Sequence, residues 1–243
     1  MPEPYLYDQL DSVSRMGFLK RELPEDLTGS LHPRFELRPY QVEAFARFLH
    51  CMEDDSWPGK EWPLHFAFNM ATGSGKTLIM AGLIAHLYAQ GYRHFLFFVN
   101  STNIIDKTRE NFLNPASGKY LFAPRLEIGG KVVRIAEVSN FEDAGPDDIN
   151  ICFTTIQKLH TDLTAERENA VTYEDFRGKH IVLIADEAHH INVRTKKSQP
   201  ELSLDIPNWE NTVEQIFRQD EDNLLIEFTA TLDYEHSAIA AKY

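Results

Sequence analysis

From residue 64 onward, short apolar runs alternate with longer stretches of helical spacing. "LHFAFNM" reads as a buried strand, followed by a glycine-rich loop and a helix, "TLIMAGLIAHLYAQG", that ends at Gly91. "HFLFFVN" is a second strand, and "STNIIDKTRENFL" a helix with Ser, Thr and Asn available as N-caps. "KVVRIAEV" and "INICFTT" read as strands, the latter leading into a helical turn, "IQKLHTDL". "HIVLIA" is a strand running into "DEAHH", "WENTVEQIFRQ" a helix and "NLLIEFT" the last strand. Strands that alternate with helices predict an α/β fold, with a mostly parallel sheet covered by helices on both faces. The sites of such a sheet lie beyond the carboxyl ends of its strands, and these strands end in polar clusters.

Upstream, "RPYQVEAFARFLHCM" predicts an amphipathic helix with Val42, Phe45, Ala46 and Leu49 on one face and Pro39 in its first turn. Residues 1 to about 30 carry Tyr5, Leu6, Leu10, Val13, Phe18 and Leu19 at helical spacing, which predicts one or two short helices. We divide the chain into an N-terminal helical extension, residues 1–33, and a main domain, residues 34–243. "VRTKKSQPELSLDIPN" reads as an exposed loop.

Composition narrows the class. The 243 residues are 43% hydrophobic and 25% charged, which suits a soluble globular protein. No apolar run approaches the ~18 residues of a membrane span. The acidic, polar start "MPEPYLYDQLDSVSR" does not read as a signal peptide. Neither Cys51 nor Cys152 belongs to a CxxC pair, and Cys152 falls in an apolar run as a free buried thiol. A reducing, cytoplasmic setting is expected. With 24 Lys plus Arg against 37 Asp plus Glu, the net charge is −13. Bulk positive charge therefore does not hold nucleic acid here, and any such contact must be local.

The chemistry sits in two loops. In "ATGSGKT", Gly73 and Gly75 let the backbone turn its N–H groups inward around phosphate oxygens. The following helix points its positive end at the same place. Thr72 and Ser74 lie in the same loop; Lys76 would reach the β- and γ-phosphates, and the Thr77 hydroxyl would face Mg²⁺. In "IVLIADEAHH", Asp186 suits a contact to Mg²⁺ and Glu187 suits the base that orients the attacking water. Adjacent carboxylates repel unless a cation lies between them. A rival zinc site drawn from Asp186, His189, His190 and His180 lacks a cysteine pair or H-E-x-x-H spacing.

In this order, "MATGSGKT", "DEAH" and "FTATLD" resemble motifs I, II and III of superfamily 2 helicases, and "FELRPYQ" resembles the Gln motif of that superfamily. "VNSTN" and "TTIQKL" fall where motifs Ia and Ib belong. The resemblance spans about residues 34 to 234 and is specific as a set. Met70 opening the loop, "LRPYQVEA", "DEAHH" and "TATLD" resemble the Res subunits of type III restriction enzymes.

The resemblance implies a RecA-like P-loop fold, with residues 34–243 as a first lobe. Its cofactors would be ATP and Mg²⁺, with Gln41 and Arg38 at the adenine. His189, Thr229, Ala230 and Thr231 would couple the nucleotide to the grip on nucleic acid. Ser101, Thr102, Thr154 and Thr155 would meet the phosphates of one strand, though plain helix capping explains these hydroxyls equally well. No motif VI pattern with its arginine finger is found before Tyr243, so a second RecA-like lobe is expected elsewhere in a longer motor. Nucleic acid, DNA rather than RNA, and a nuclease domain or a methyltransferase or specificity subunit are the implied partners. The resulting expectation is the ATP-binding lobe of a DNA helicase or translocase from a restriction or defence system. The alternatives are a nucleotide-binding or interaction module without turnover, an RNA-directed helicase, and a P-loop kinase or transferase. A kinase needs no Gln motif, "DEAH" and "TAT" together.

Overall fold

Alternate side chains of the central strands are apolar on both faces, and the chain packs a separate core on each. The computed structural model describes residues 5–54, 60, 62–142, 144–164, 172–187 and 209–230. Its helices are α1 (Leu6–Arg15), α2 (Glu25–Thr28), α3 (Pro39–Glu53), α4 (Lys76–Ala89), α5 (Thr102–Leu113), α6 (Ile156–Thr164) and α7 (Trp209–Phe217). A short 3₁₀ turn spans Tyr173–Phe176. The strands are β1 (Leu64–Asn69), β2 (His94–Val99), β3 (Glu127–Ile128), β4 (Lys131–Val132), β5 (Ile135–Glu137), β6 (Ile149–Thr155), β7 (Ile181–Asp186) and β8 (Leu224–Thr229).

Six strands form one parallel sheet in the order β1-β8-β7-β2-β6-β5. In β2, Phe95, Phe97 and Val99 join the core under α3, α4 and α5, whereas Leu96 and Phe98 join the core under α6 and α7. That alternation is the period-2 geometry of a strand buried on both sides. It matches the predicted mostly parallel sheet with helices on both faces. α4 is apolar nearly all round, with Leu78 through Tyr88 buried, as a helix enclosed between sheet and neighbouring helices must be.

Four readings change. "KVVRIAEV" is not one strand. Val132 pairs with Glu127 in a small antiparallel hairpin turned at Gly129 and Gly130, both of positive φ. After Val133 donates to the Leu126 carbonyl, Ile135–Glu137 leaves the hairpin and joins β6 in the main sheet. The apolar pattern was continuous while the hydrogen-bonding partner changed. The "IQKLHTDL" turn is a nine-residue helix. At the N-terminus, Leu10 and Leu19 are buried, but Tyr5, Leu6 and Phe18 are exposed. Helical spacing marked a face of which only part finds cover. Leu27 and Leu31, within the predicted extension, belong to the main core. Cys51 is buried, Cys152 only half-buried, and burial pushes both thiols up to about 11.

One buried amide ties the base of the sheet together. Asn223 is fully buried; its Oδ1 accepts from the Ile181 N–H, and its Nδ2 donates to the carbonyls of Ile216 and Phe217. It thus joins the start of β7 to the end of α7. Asn223→Ala leaves the Ile181 N–H and the Phe217 carbonyl without this buried partner, whereas the Ile216 carbonyl keeps the Gln219 N–H, and a loss of about 1–3 kcal/mol is expected. Denaturant unfolding reads this directly; a loss below about 0.5 kcal/mol, the range of ordinary surface substitutions, would refute that role for Asn223.

Candidate nucleotide site

The sheet order decides which loop ends meet. β1, β8 and β7 are adjacent and parallel, so Asn69, Thr229 and Asp186 end at the same rim, with Asn69 paired to Thr229 and Asp186 to Phe228. The Met70 N–H donates to the Thr229 carbonyl at 2.8 Å, which extends that pairing into the glycine-rich loop. Met70 packs its side chain against the main core, and its carbonyl accepts from Lys76 Nζ at 3.4 Å. A flexible apolar residue thus suits the strand end without entering the phosphate-binding part of the loop.

The loop turns back at Ser74, whose N–H donates to the Ala71 carbonyl. Gly73 and Gly75 have φ of 79° and 88°, the left-handed region that L side chains avoid. Gly75 also lies hard against α3, where an added Cβ would stand 2.5 Å from Gln41 Nε2. Gly75 caps α4, which starts at Lys76. Thr72 and Gly73 are exposed, Thr77 is half-buried, and Lys76 is 8% exposed.

Facing the loop, Lys76 Nζ lies 3.6 Å from Glu187 Oε1. Glu187 has φ of 55°, and its N–H donates to Asp186 Oδ1 at 3.0 Å. Asp186 is 8% exposed. Burial, and then the Glu187 charge, push its carboxyl up to about 6, with the Lys76 charge and the Glu187 N–H pulling back. Two carboxylates and one ammonium therefore share a water-poor corner at the end of β7.

These residues fit a magnesium nucleotide. Ser74 Oγ is buried and has no hydrogen-bond partner among the described residues, an orphan that a ligand oxygen would satisfy. The loop amides and the start of α4 form an anion cradle. The acid pair, one carboxyl of which burial destabilises as an anion, suits a divalent cation.

The predicted residues otherwise divide as follows. Gln41 is buried; its Oε1 accepts from the Arg38 N–H and its Nε2 donates to the Ser74 carbonyl, both at 2.9 Å. One N–H and one lone pair of the amide remain for an adenine edge. Arg38 is exposed beside it. Thr229 is buried at the strand end and Ala230 follows it half-buried. His189, His190, Thr231 and the 193–208 loop lie outside the described residues.

β2 and β6 are neighbours, so Ser101 and Thr102 share a rim with Thr154 and Thr155. Ser101 caps α5 without a side-chain bond and Thr102 is exposed. The Thr155 hydroxyl accepts from the Lys158 N–H, whereas Thr154 is buried with its hydroxyl on the Thr155 carbonyl. Capping thus accounts for Thr155. Geometry removes His180 from the zinc alternative, whose His189 and His190 lie outside the described residues. His180 precedes β7 and Asp186 ends it, about 20 Å apart along a strand of that length. His180 lies instead beside Asp220 and Asp222, at 3.7 and 3.1 Å.

One contact had no signal in the sequence: the exposed Tyr40, one place before Gln41, donates its hydroxyl to the Ser74 carbonyl at 2.9 Å. A groove of about 1170 Å³ opens beside it, between α1, α3, the edge strand β1 and the loop.

Comparison with known proteins places this arrangement. Residues 34–234 match the family described as "Type III restriction enzyme, res subunit". A probable type III restriction-modification enzyme HindVIP Res subunit from Haemophilus influenzae is 40% identical over 241 residues, covering 91% of this chain and 46% of that protein. The chain thus spans less than half the length of that curated relative. Among solved structures, the UvsW helicase of bacteriophage T4 is similar at 17% identity, with a TM-score of 0.49, over 98% of this chain and 74% of its own. The Sulfolobus solfataricus SWI2/SNF2 ATPase core in complex with dsDNA is similar at 19% identity, with a TM-score of 0.46, over 84% of this chain and 34% of its own.

Proposed function

We propose, for a chain that belongs to the Res-subunit family of type III restriction enzymes, that residues 34–243 form the ATP-binding lobe of a DNA helicase or translocase in a restriction system, with residues 1–33 as a docked extension. One observation carries this reading: the phosphate loop, the Asp186–Glu187 pair and the Thr229 strand end meet on three adjacent parallel strands, with Lys76 and Glu187 3.6 Å apart.

Each residue then has a task. The N–H groups of Gly73 and Gly75 hold phosphate oxygens, and Lys76 leaves Glu187 and the Met70 carbonyl for the terminal phosphates. Thr77 and Asp186 would hold Mg²⁺, which when bound neutralises charge on the phosphates. Released from Lys76, the Glu187 carboxylate orients the attacking water as general base. Gln41 and Arg38 read the adenine at the mouth of the groove. The family resemblance assigns Thr229, Ala230, Thr231 and His189 the task of reporting nucleotide state to the nucleic acid. Ser101 and Thr102 offer hydroxyls and unpaired helix N–H groups to the backbone phosphates of one strand. Such contacts ignore base sequence and need no basic surface, which fits the net charge of −13. A second RecA-like lobe would close the ATP site with its arginine finger, a group worth about 10³–10⁵ in rate in related NTPases. A nuclease domain and a methyltransferase or specificity subunit complete the proposed assembly.

The setting proposed is the cytoplasm; among the described residues no helix is long and apolar enough to cross a membrane.

The test is ATP turnover by the whole protein in the presence and absence of duplex DNA. Stimulation by DNA is expected, with RNA weaker. Identical rates with DNA, with RNA and with neither would sink the motor reading while leaving nucleotide binding intact.

A further inference from the structure

The Ser74 carbonyl accepts two side-chain donors, both from the first turn of α3: Tyr40 Oη and Gln41 Nε2, each at 2.9 Å. Behind them Arg38 closes the network. Its Nη1 donates to Tyr40 Oη at 3.3 Å, and its N–H donates to Gln41 Oε1 at 2.9 Å. α3 thus holds one peptide group of the phosphate loop through two routes.

That peptide group matters because it is planar and trans: a carbonyl drawn one way sends the N–H on the same plane the other way. The N–H paired with the Ser74 carbonyl is that of Gly75, the cap of α4. Drawing the carbonyl toward α3 therefore turns the Gly75 N–H into the concave side of the loop, where phosphate oxygens are received. Gly75 itself has φ of 88° and room for nothing larger than hydrogen against Gln41. A glycine-rich loop left to itself samples many orientations of this group. We infer that Tyr40 is a positioning residue for nucleotide binding, whose hydroxyl holds the Ser74–Gly75 peptide in the phosphate-receiving orientation. The inference rests on the nucleotide reading of this loop.

Tyr40 is poorly placed for a structural role. It is 43% exposed, and its ring is absent from both hydrophobic cores. Its polar contacts are with Arg38 and the loop. Tyr40→Phe keeps the ring and removes only the hydroxyl, so the fold is expected to melt as before.

Calorimetric titration with magnesium ATP and, separately, with magnesium tripolyphosphate tests the inference. Because the tripolyphosphate has no base, both probes report the loop. Tyr40→Phe is expected to weaken both by the same factor, about fivefold, the value of one net hydrogen bond. Arg38→Ala is expected to reproduce part of that loss for the tripolyphosphate. The double variant should fall short of the product of the two, because one network is being cut twice. If Tyr40→Phe binds both probes like the wild type, the inference is overturned and the nucleotide reading stands. If ATP alone weakens, Tyr40 contacts the base rather than shaping the loop, and the inference is again overturned. If the wild type binds neither probe, the nucleotide reading falls and takes the inference with it.

Discussion

Asp186→Asn is expected to make the nucleotide-free protein more stable at neutral pH while abolishing ATP turnover. Asp186 is 8% exposed, and burial together with the Glu187 charge pushes its carboxyl up to about 6. In the unfolded chain the same group titrates near ~3.9. The fold therefore binds this proton more tightly than the unfolded chain does. Stability associated with Asp186 is fullest below ~3.9, declines as pH rises through about 6, and stays reduced above that. A shift of this size corresponds to at most about 3 kcal/mol at neutral pH. Asn has nearly the same shape, carries no charge, and can still accept the Glu187 N–H through its Oδ1. The variant's advantage in melting temperature should be largest near pH ~7.5 and shrink toward pH ~4. Turnover should vanish because a neutral amide is a poor ligand for Mg²⁺. A variant that melts below the wild type at neutral pH, or whose advantage does not shrink in acid, would show that the carboxylate is already compensated in the folded protein.

Lys76→Ala is expected to remove ATP hydrolysis, with a loss of at least about 10²–10³ in kcat, the scale for deleting one preorganised donor from a transition state. Lys76 is 8% exposed at the first position of α4, with its ammonium between the Met70 carbonyl and Glu187. ATP affinity should fall with it, since the charge acts on bound and reacting phosphates alike. Steady-state hydrolysis and ATP titration on the same preparation read both effects. Turnover retained within about tenfold of wild type would mean that Lys76 does not reach the reacting phosphate. The two variants also separate from each other: removing Lys76 deletes a cation that pulls the Asp186 carboxyl down, so Lys76→Ala should not share the stabilisation of Asp186→Asn.

Much of the site was legible because its parts are contiguous. A strand, a turn containing Gly73 and Gly75, and a helix opening with Lys76 and Thr77 follow one another in the chain. Local backbone geometry alone then requires glycine where it stands. The strand–"DE" step at β7 was equally local. The hairpin inside "KVVRIAEV" was hidden because a change of partner leaves no mark on the apolar pattern. The exposure of Tyr5, Leu6 and Phe18 was hidden because spacing predicts a face and not what covers it.

The sequence by itself determined the alternation of strands and helices, the phosphate loop, the acid pair and the family resemblance, since each is written in neighbouring residues. Tertiary structure decided which of these meet. The order β1-β8-β7 brings the loop, the Thr229 end and Asp186 to one rim. The run of β7 keeps His180 at the opposite end from Asp186 and so takes it out of the zinc set. Only the packing of α3 against the loop placed the Tyr40 hydroxyl and the Gln41 amide on one carbonyl. Hydrogen bonds between segments far apart in the chain depend on distance in space, and no periodicity of a single segment encodes that distance.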